Sequence, residues 1–335
     1  MSRAIEPKQT LIQRVICSAT VLWLGYACVA GGVPVVRAAR ISSVSAAASP
    51  SLTGVTVVYS RTDGTLWRYA VTGAVDEPLG NGRWPRLSPD GTHLMYLIGN
   101  PVVFANAELY TRPITTTQAT HVFENSDWIV GSNWTPDSQQ IVFDYTCTLF
   151  RSAPDGTGLG TMSGADCFDD APAVNPADTT QLAFHNTNQG VGLVSTGGAG
   201  RHFVPNTIAG DLWPTWSPDG QYLSFLRSGP TPTIVNGLYL GKSLQRIKPD
   251  GTGLLQLLAV TVPGDKIGYG GAWTEDGRWV IVAATINGVA GVYAVASDGS
   301  GTHERLDLSA GAEPDFVGTA AGPIWRVYLS ALARP

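Results

Sequence analysis

A chain of 335 residues with net charge −5 and only 14% charged residues is poor in charge, since an ordinary soluble domain carries roughly 25%. No dense Lys/Arg stripe occurs, which excludes nucleic acid as a partner, because phosphate neutralisation needs clustered positive charge. Gly (39) and Pro (22) are abundant, the composition of short strands joined by tight turns.

The chain opens with Arg3, Lys8 and Arg14, and no charge follows from Val15 to Val36. That run is long enough to span a bilayer as a helix, although Gly31, Gly32 and Pro34 weaken its end. Ala46-Ala47-Ala48 offers a small-residue cleavage pattern, and Arg37 and Arg40 impede an earlier cut. Residues 1–40 are therefore a signal peptide or a signal anchor, with membrane anchorage through 15–36 in the second case. Residues 41–53, rich in Ser and Ala, form a flexible linker. In either case the remainder, 54–335, is exported and works in the periplasm, on the cell surface or outside the cell.

From 54 onward one pattern recurs. RWPRLSPDGTHLMYL at 83, GSNWTPDSQQIVFDY at 131, APAVNPADTTQLAFH at 171, LWPTWSPDGQYLSFL at 212 and GGAWTEDGRWVIVAA at 270 align on a turn. The turn positions lie about 40 to 57 residues apart, the period of a propeller blade with insertions. In Ser88-Pro89-Asp90-Gly91 and Ser217-Pro218-Asp219-Gly220, proline presets φ, aspartate bonds back to the backbone and glycine tolerates positive φ. Leu87, Trp134, Val174, Trp216 and Trp273 share one column before the turn, as packing between neighbouring sheets requires. A second turn, at Asp155-Gly156-Thr157-Gly158, Asp250-Gly251-Thr252-Gly253 and Asp298-Gly299-Ser300-Gly301, follows an apolar strand. Each unit then reads as four antiparallel strands.

These residues resemble the TolB-like, WD-repeat-like propellers, whose mark is a W-S-P-D-G turn followed by a strand and a later D-G turn. The resemblance covers Val55 to about Asp307. It implies an all-β, six-bladed propeller, with seven blades as the alternative. Val55–Tyr59 and Thr65–Ala70 begin a first blade that lacks its Trp-turn. The tail around Ile324–Leu329 is expected to complete that blade and close the ring.

The chemistry-bearing residues are sparse. His93, His121, His185, His202 and His303 are scattered, without local metal-ligand spacing, and no G-x-S-x-G elbow occurs. No cofactor, metal or catalytic set is expected. Asp127, Asp169, Asp170 and Asp211 precede the packing column, where the chain crosses between blades. There they either ring one channel mouth, able to bind a cation or a basic partner segment, or bond their own loops. Insertions at 99–107 and 228–237 carry Val102, Val103, Phe104, Ile234 and Val235 to the same face, either as a partner surface or packed on the blade edges. Cys147 and Cys167 also open there, a candidate disulfide.

Two functions are compatible with this pattern. One is a monomeric, non-catalytic scaffold that binds an envelope or extracellular protein or peptide, as resemblance to TolB implies. The other is a propeller enzyme of lyase or lactonase type acting on a carbohydrate-like substrate through channel His/Asp groups or a metal.

Overall fold

The computed structural model describes residues 52–306, with gaps at 53, 62, 72, 74, 101–104, 125–128, 130, 146–147, 164–168, 229–232, 236–237 and 269–270, and again 314–318. The apolar run at 15–36, Asp127, Cys147 and Cys167 lie outside the described residues. Among the described residues no helix is long and apolar enough to cross a membrane.

Six antiparallel four-stranded sheets appear in chain order. Blade 2 is built from Arg83–Leu87, His93–Asn100, Ala105–Pro113 and Thr120–Phe123, and blade 3 from Ser132–Trp134, Ile141–Tyr145, Thr148–Ser152 and Gly160–Ser163. Blade 4 comprises Asp169–Val174, Gln181–Asn186, Gly190–Ser195 and His202–Phe203. Asp211–Trp216, Leu223–Arg227, Ser243–Ile247 and Leu255–Ala259 make blade 5. In blade 6 a broken first strand, Lys266–Ile267 and Ala272–Trp273, pairs with Trp279–Ile286, which Val289–Ala296 and His303–Arg305 follow.

Blade 1 holds Thr56–Arg61, Thr65–Ala70 and Val75–Asn81, and its first strand is Pro314–Gly318 from the far end of the chain. Tyr59 faces Val317 and Ser60 faces Phe316 across that join. The closing strand is thus 314–318; the expected 324–329 lies outside the described residues. The ring has six blades. First strands of successive blades touch one another, so they line the axis.

The two expected insertions differ. In blade 2 most of 99–107 is absorbed into lengthened strands, since the second runs to Asn100 and the third starts at Ala105. In blade 5 the insertion forms a two-stranded ribbon of its own, Thr233–Val235 with Leu238–Leu240, that pairs with no blade strand among the described residues.

The repeated turn is a small hydrogen-bonded unit. The Ser88 hydroxyl donates to Asp90 at 2.6 Å, Asp90 accepts the Thr92 amide at 3.0 Å, and Ser88 Oγ accepts the His93 amide at 2.9 Å. Ser217-Asp219 repeats this, and Thr135-Asp137 and Thr274-Asp276 do so with threonine. The hydroxyl–carboxylate pair is kept in the divergent copies, one of which lacks Gly and the other Pro, and Ser138 takes the positive φ of 60° where glycine is missing.

Tryptophan in the packing column joins blade to blade. The Trp134 indole N–H donates to Arg86 O at 3.2 Å, Trp216 to Ala173 O at 3.0 Å, and Trp273 to Thr215 O at 3.3 Å. Each acceptor is the residue before the column in the adjoining blade. Apolar clusters fill the space between sheets. Ala183, Val191 and Leu193 of blade 4 meet Trp216, Leu223 and Phe225 of blade 5, and Val57 and Tyr59 of blade 1 meet Ile281 and Val292 of blade 6.

The second turn also packs between blades. Gly251, at φ +83°, would place a Cβ 2.6 Å from Pro205 Cβ and 2.8 Å from its carbonyl, whereas Gly253, at φ +66°, meets only Lys248 Cγ at 3.9 Å. Gly156 and Gly299 approach Val122 and Leu255 of their neighbours in the same way. Gly251→Ala is therefore expected to cost about 1–3 kcal/mol more than Gly253→Ala in urea unfolding, because both strain φ but only the first overpacks a blade interface. Equal losses would show that the glycine serves the turn alone.

Candidate functional site at the channel

The first strands of blades 2, 4 and 5 are bulged between Arg83 and Arg86, Asp170 and Ala173, and Leu212 and Thr215. At each bulge a non-glycine residue takes positive φ: Trp84 (51°), Ala171 (52°) and Trp213 (59°). Pro85, Pro172 and Pro214 follow directly; lacking an N–H, they lose no ladder bond at the irregularity. The bulges turn Trp84 and Trp213 inward from opposite blades of the ring. Their rings meet edge to face, centroids 5.8 Å apart at 80°, and both residues are buried. This pair closes the channel.

On the turn side of the plug lies a cavity of about 50 Å³, walled by Trp134, Trp216 and Trp273 with Arg86, Asn133 and Thr215. It has room for a few waters. Arg86 is buried and its Nε donates to Ser132 O at 3.3 Å. Burial pushes the guanidinium down to about 10, so it stays charged at neutral pH.

The acids lie at the opposite mouth, at the starts of first strands. Asp211 accepts from Arg227 Nε and NH2, each at 2.7 Å, and from the Ile208 amide of its own crossing loop at 2.8 Å. Burial drives its carboxyl up, the arginine draws it down, and the guanidinium is held above its ordinary range. The two-point geometry makes this an ion pair. Asp169 is held alike, by Arg201 at 2.9 and 2.8 Å and by Asn186 Nδ2 at 2.8 Å. Both carboxylates are buried in the frame.

Asp170 differs. Its side chain is 24% exposed, and Oδ2 lies 3.9 Å from Nε2 of His185, which is 1% exposed. Burial, with the nearby Asp144 and Asp169 charges, pushes the Asp170 carboxyl well above the usual range. The Trp213 amide donates to His185 Nδ1 at 3.3 Å, so the neutral imidazole carries its proton on Nε2. Burial pushes the imidazole down to about 3. Asp144 occupies the corresponding place in blade 3 and accepts the Gly131 amide at 2.5 Å and the Ala171 amide at 3.2 Å. Asp144 and His185 thus do one job: each accepts the amide of the left-handed residue in the next blade.

No family model matches the chain, and no curated protein matches it. Solved structures do. TolB from Acinetobacter baumannii superposes with a TM-score of 0.62 at 13% identity, over 80% of this chain and 66% of that one. The fold is that of a TolB-like propeller. A chain of a nidogen–laminin complex matches with a TM-score of 0.59 at 9% identity, over 79% of this chain and 97% of that one. Hydrazine synthase from Kuenenia stuttgartiensis matches at 0.50 and 15% identity, over 74% and 75%. Identities this low are a likeness of fold, and the fold carries many functions.

The remaining histidines of the TolB-like propeller sit apart from the mouth. His93 bonds Thr92, His121 lies 3.8 Å from Glu108, and His202 and His303 bond the carbonyls of Gly200 and Gly301. Among the described residues no three His, Cys, Asp or Glu side chains are grouped to hold a metal. Asp170 stands out in the sequence as a short acid before the packing column, whereas Trp84, Trp213, Asp144 and His185 do not stand out as channel residues. The signal available was the Trp-Pro pair at 84–85 and 213–214, repeated in one column.

Two outcomes follow for stability. His185 has a folded value of about 3, below its ordinary 6.5. Its contribution is present above pH 6.5 and lost as pH falls toward 3, by up to about 1.4 kcal/mol per pH unit. His185→Asn, whose Oδ1 can still accept the Trp213 amide, is expected to flatten that part of the pH–stability curve in denaturant titrations. Asp170 works in the opposite sense. With its folded value raised above 3.8, it destabilises the native state as pH rises. Asp170→Asn is therefore expected to raise the melting temperature at pH 7 and leave it unchanged in strong acid.

Proposed function

We propose that this TolB-like propeller is an exported or membrane-anchored scaffold that binds a protein or peptide at the cell envelope and catalyses no reaction. The Trp84–Trp213 plug carries this reading. It leaves a cavity of about 50 Å³, whereas small-molecule sites occupy about 300–1,000 Å³. A channel filled this way serves as the hub of a rigid frame, and recognition then falls to the loops that the frame presents.

Two further features support it. The positive N-terminus followed by the uncharged run Val15–Val36 is the pattern of an export or anchor segment. The Thr233–Leu240 ribbon pairs with no blade strand among the described residues, and a two-stranded ribbon offers free edges to which an extended peptide can add.

Affinity capture from envelope extract with the detergent-solubilised full-length chain tests the proposal. A parallel bait has 229–241 replaced by a short Gly/Ser turn. The expected result is a reproducible protein partner that the ribbon variant loses. Failure to capture any protein, or turnover of a sugar lactone or acidic oligosaccharide by the purified chain, would overturn it in favour of the enzyme reading.

A further inference from the structure

The three described carboxylates at the crossing mouth share a position but not a fate. Asp169 and Asp211 are buried, and one arginine clamps each at two points. Asp170 adjoins Asp169 in the chain, reaches solvent and has no arginine partner among the described residues. Its one ion partner among the described residues is His185. That imidazole cannot act as the missing cation. It is buried, and its Nδ1 is occupied in accepting the Trp213 amide. A proton there would leave that amide without an acceptor at a left-handed residue.

A second observation concerns the other ring nitrogen. His185 Nε2 is buried, has no hydrogen-bond partner among the described residues, and faces Asp170 Oδ2 across 3.9 Å. A buried N–H donor without an acceptor is costly. A fully ionised Asp170 would satisfy it after a small side-chain rotation. What opposes ionisation is first burial and then the surrounding field, because Asp144 and Asp169 repel further negative charge. A positive group at the exposed side of Asp170 would offset that repulsion and favour the carboxylate, the stronger acceptor for the His185 Nε2–H.

We propose that Asp170 anchors a cationic side chain, an arginine or a lysine, carried by the protein partner of this face. The proposal rests on the partner-binding reading above and gives that partner a chemistry. A metal ion is the poorer occupant. No set of three ligands is grouped among the described residues. Moreover, Nε2 has no lone pair to offer while Nδ1 accepts an amide. An organic cation needs only the carboxylate, and it leaves His185 in its tautomer. Occupancy is reported inward, since His185 bonds the Trp213 amide and its ring lies 5.8 Å from the Trp213 ring.

The full-length protein is titrated with acetyl-Gly-Arg-Gly-amide, with its citrulline counterpart, and with magnesium or calcium chloride alone. NMR of the His185 ring and tryptophan fluorescence are the readouts. The arginine peptide is expected to shift the His185 signals saturably while the neutral citrulline peptide does not. Asp170→Asn and Asp170→Ser are each expected to weaken that response at least about tenfold, since an ionised partner is lost. Melting curves on the same samples verify that the variants are folded. If neither folds, the comparison of arginine with citrulline in the unaltered protein decides. Equal responses to the two peptides, undiminished binding by folded variants, or saturable shifts with a metal but not with the arginine peptide would overturn the proposal. An absent arginine response with intact envelope capture removes this site and leaves the scaffold standing. A clear response with no captured protein does the reverse.

Discussion

The propeller depends on one contact made three times, an indole N–H given to a backbone carbonyl of the adjoining blade. Trp134, Trp216 and Trp273 each reach the residue before the packing column. A sheet has two faces and here buries both against neighbours, so apolar area alone would let blades slide over one another. A directional bond from a large, flat side chain removes that freedom. It also satisfies a carbonyl in the first strand, where the bulge disrupts the ladder. Blade 4 lacks this tryptophan and has Val174 in the column. The side chain of Asn175 bonds the Gly220 carbonyl of blade 5, which adds to the Trp216 bond across that interface and does not replace a bond to blade 3. The glycines of the second turn complete the arrangement at the outer rim, where Gly156, Gly251 and Gly299 let one blade's turn approach the outer strand of the blade before it.

Strain is concentrated at the axis. Bulky residues at positive φ are outliers, and Trp84 and Trp213 hold that conformation because surrounding structure over-determines it. In blade 5 the determinant is His185, which accepts the Trp213 amide; in blade 4 it is Asp144, which accepts that of Ala171. Both acceptors come from the second strand of the preceding blade. The axis is therefore built by the same logic as the tryptophan column, the later blade donating to the one before it, but here a backbone amide donates and a side chain accepts. Two opposed tryptophans then close the channel and divide the molecule into two separate faces. On the crossing face, Asp170 is paired with neither an arginine nor a backbone amide among the described residues, whereas Asp144 is held by the Gly131 and Ala171 amides.

That asymmetry is what the proposed recognition rests on. Among the described residues the frame supplies Arg201 and Arg227 for two carboxylates and no arginine for Asp170, and the proposed cationic partner group would fill that place. Asp170 lies beside a buried donor it does not reach, in a field that resists its charge. The likeness to TolB, at 13% identity, says how the blades are arranged. It does not say what the mouth recognises, and the chemistry of Asp170 is read from this chain's own residues.

Much of the architecture was legible before any coordinates. The Ser/Thr–Asp turns and their spacing specify strand order, blade size and ring number, because these are local hydrogen-bond and φ preferences that act within a few residues. The tryptophan column was legible as packing, since a large apolar residue once per unit has to meet a neighbouring sheet. The donor role of its indole was not, because the acceptor lies in another blade. Ring closure was anticipated as to its device, a strand from the far end of the chain. The strand itself, Pro314–Gly318, was misplaced because a run of apolar residues alone does not set pairing register.

The residues at the channel needed the tertiary structure. Asp169, Asp170 and Asp211 look alike in the sequence, three short acids before a packing column. Whether each meets an arginine, an asparagine or a buried imidazole depends on side chains 15 to 32 positions away. His185 reads as an isolated strand histidine, and only the bulge in the next blade gives its Nδ1 a donor. Local chemistry thus determined the blades and their turns. The plug, the clamped acids and the one acid left unclamped were decided by contacts between distant segments, which no short-range preference encodes.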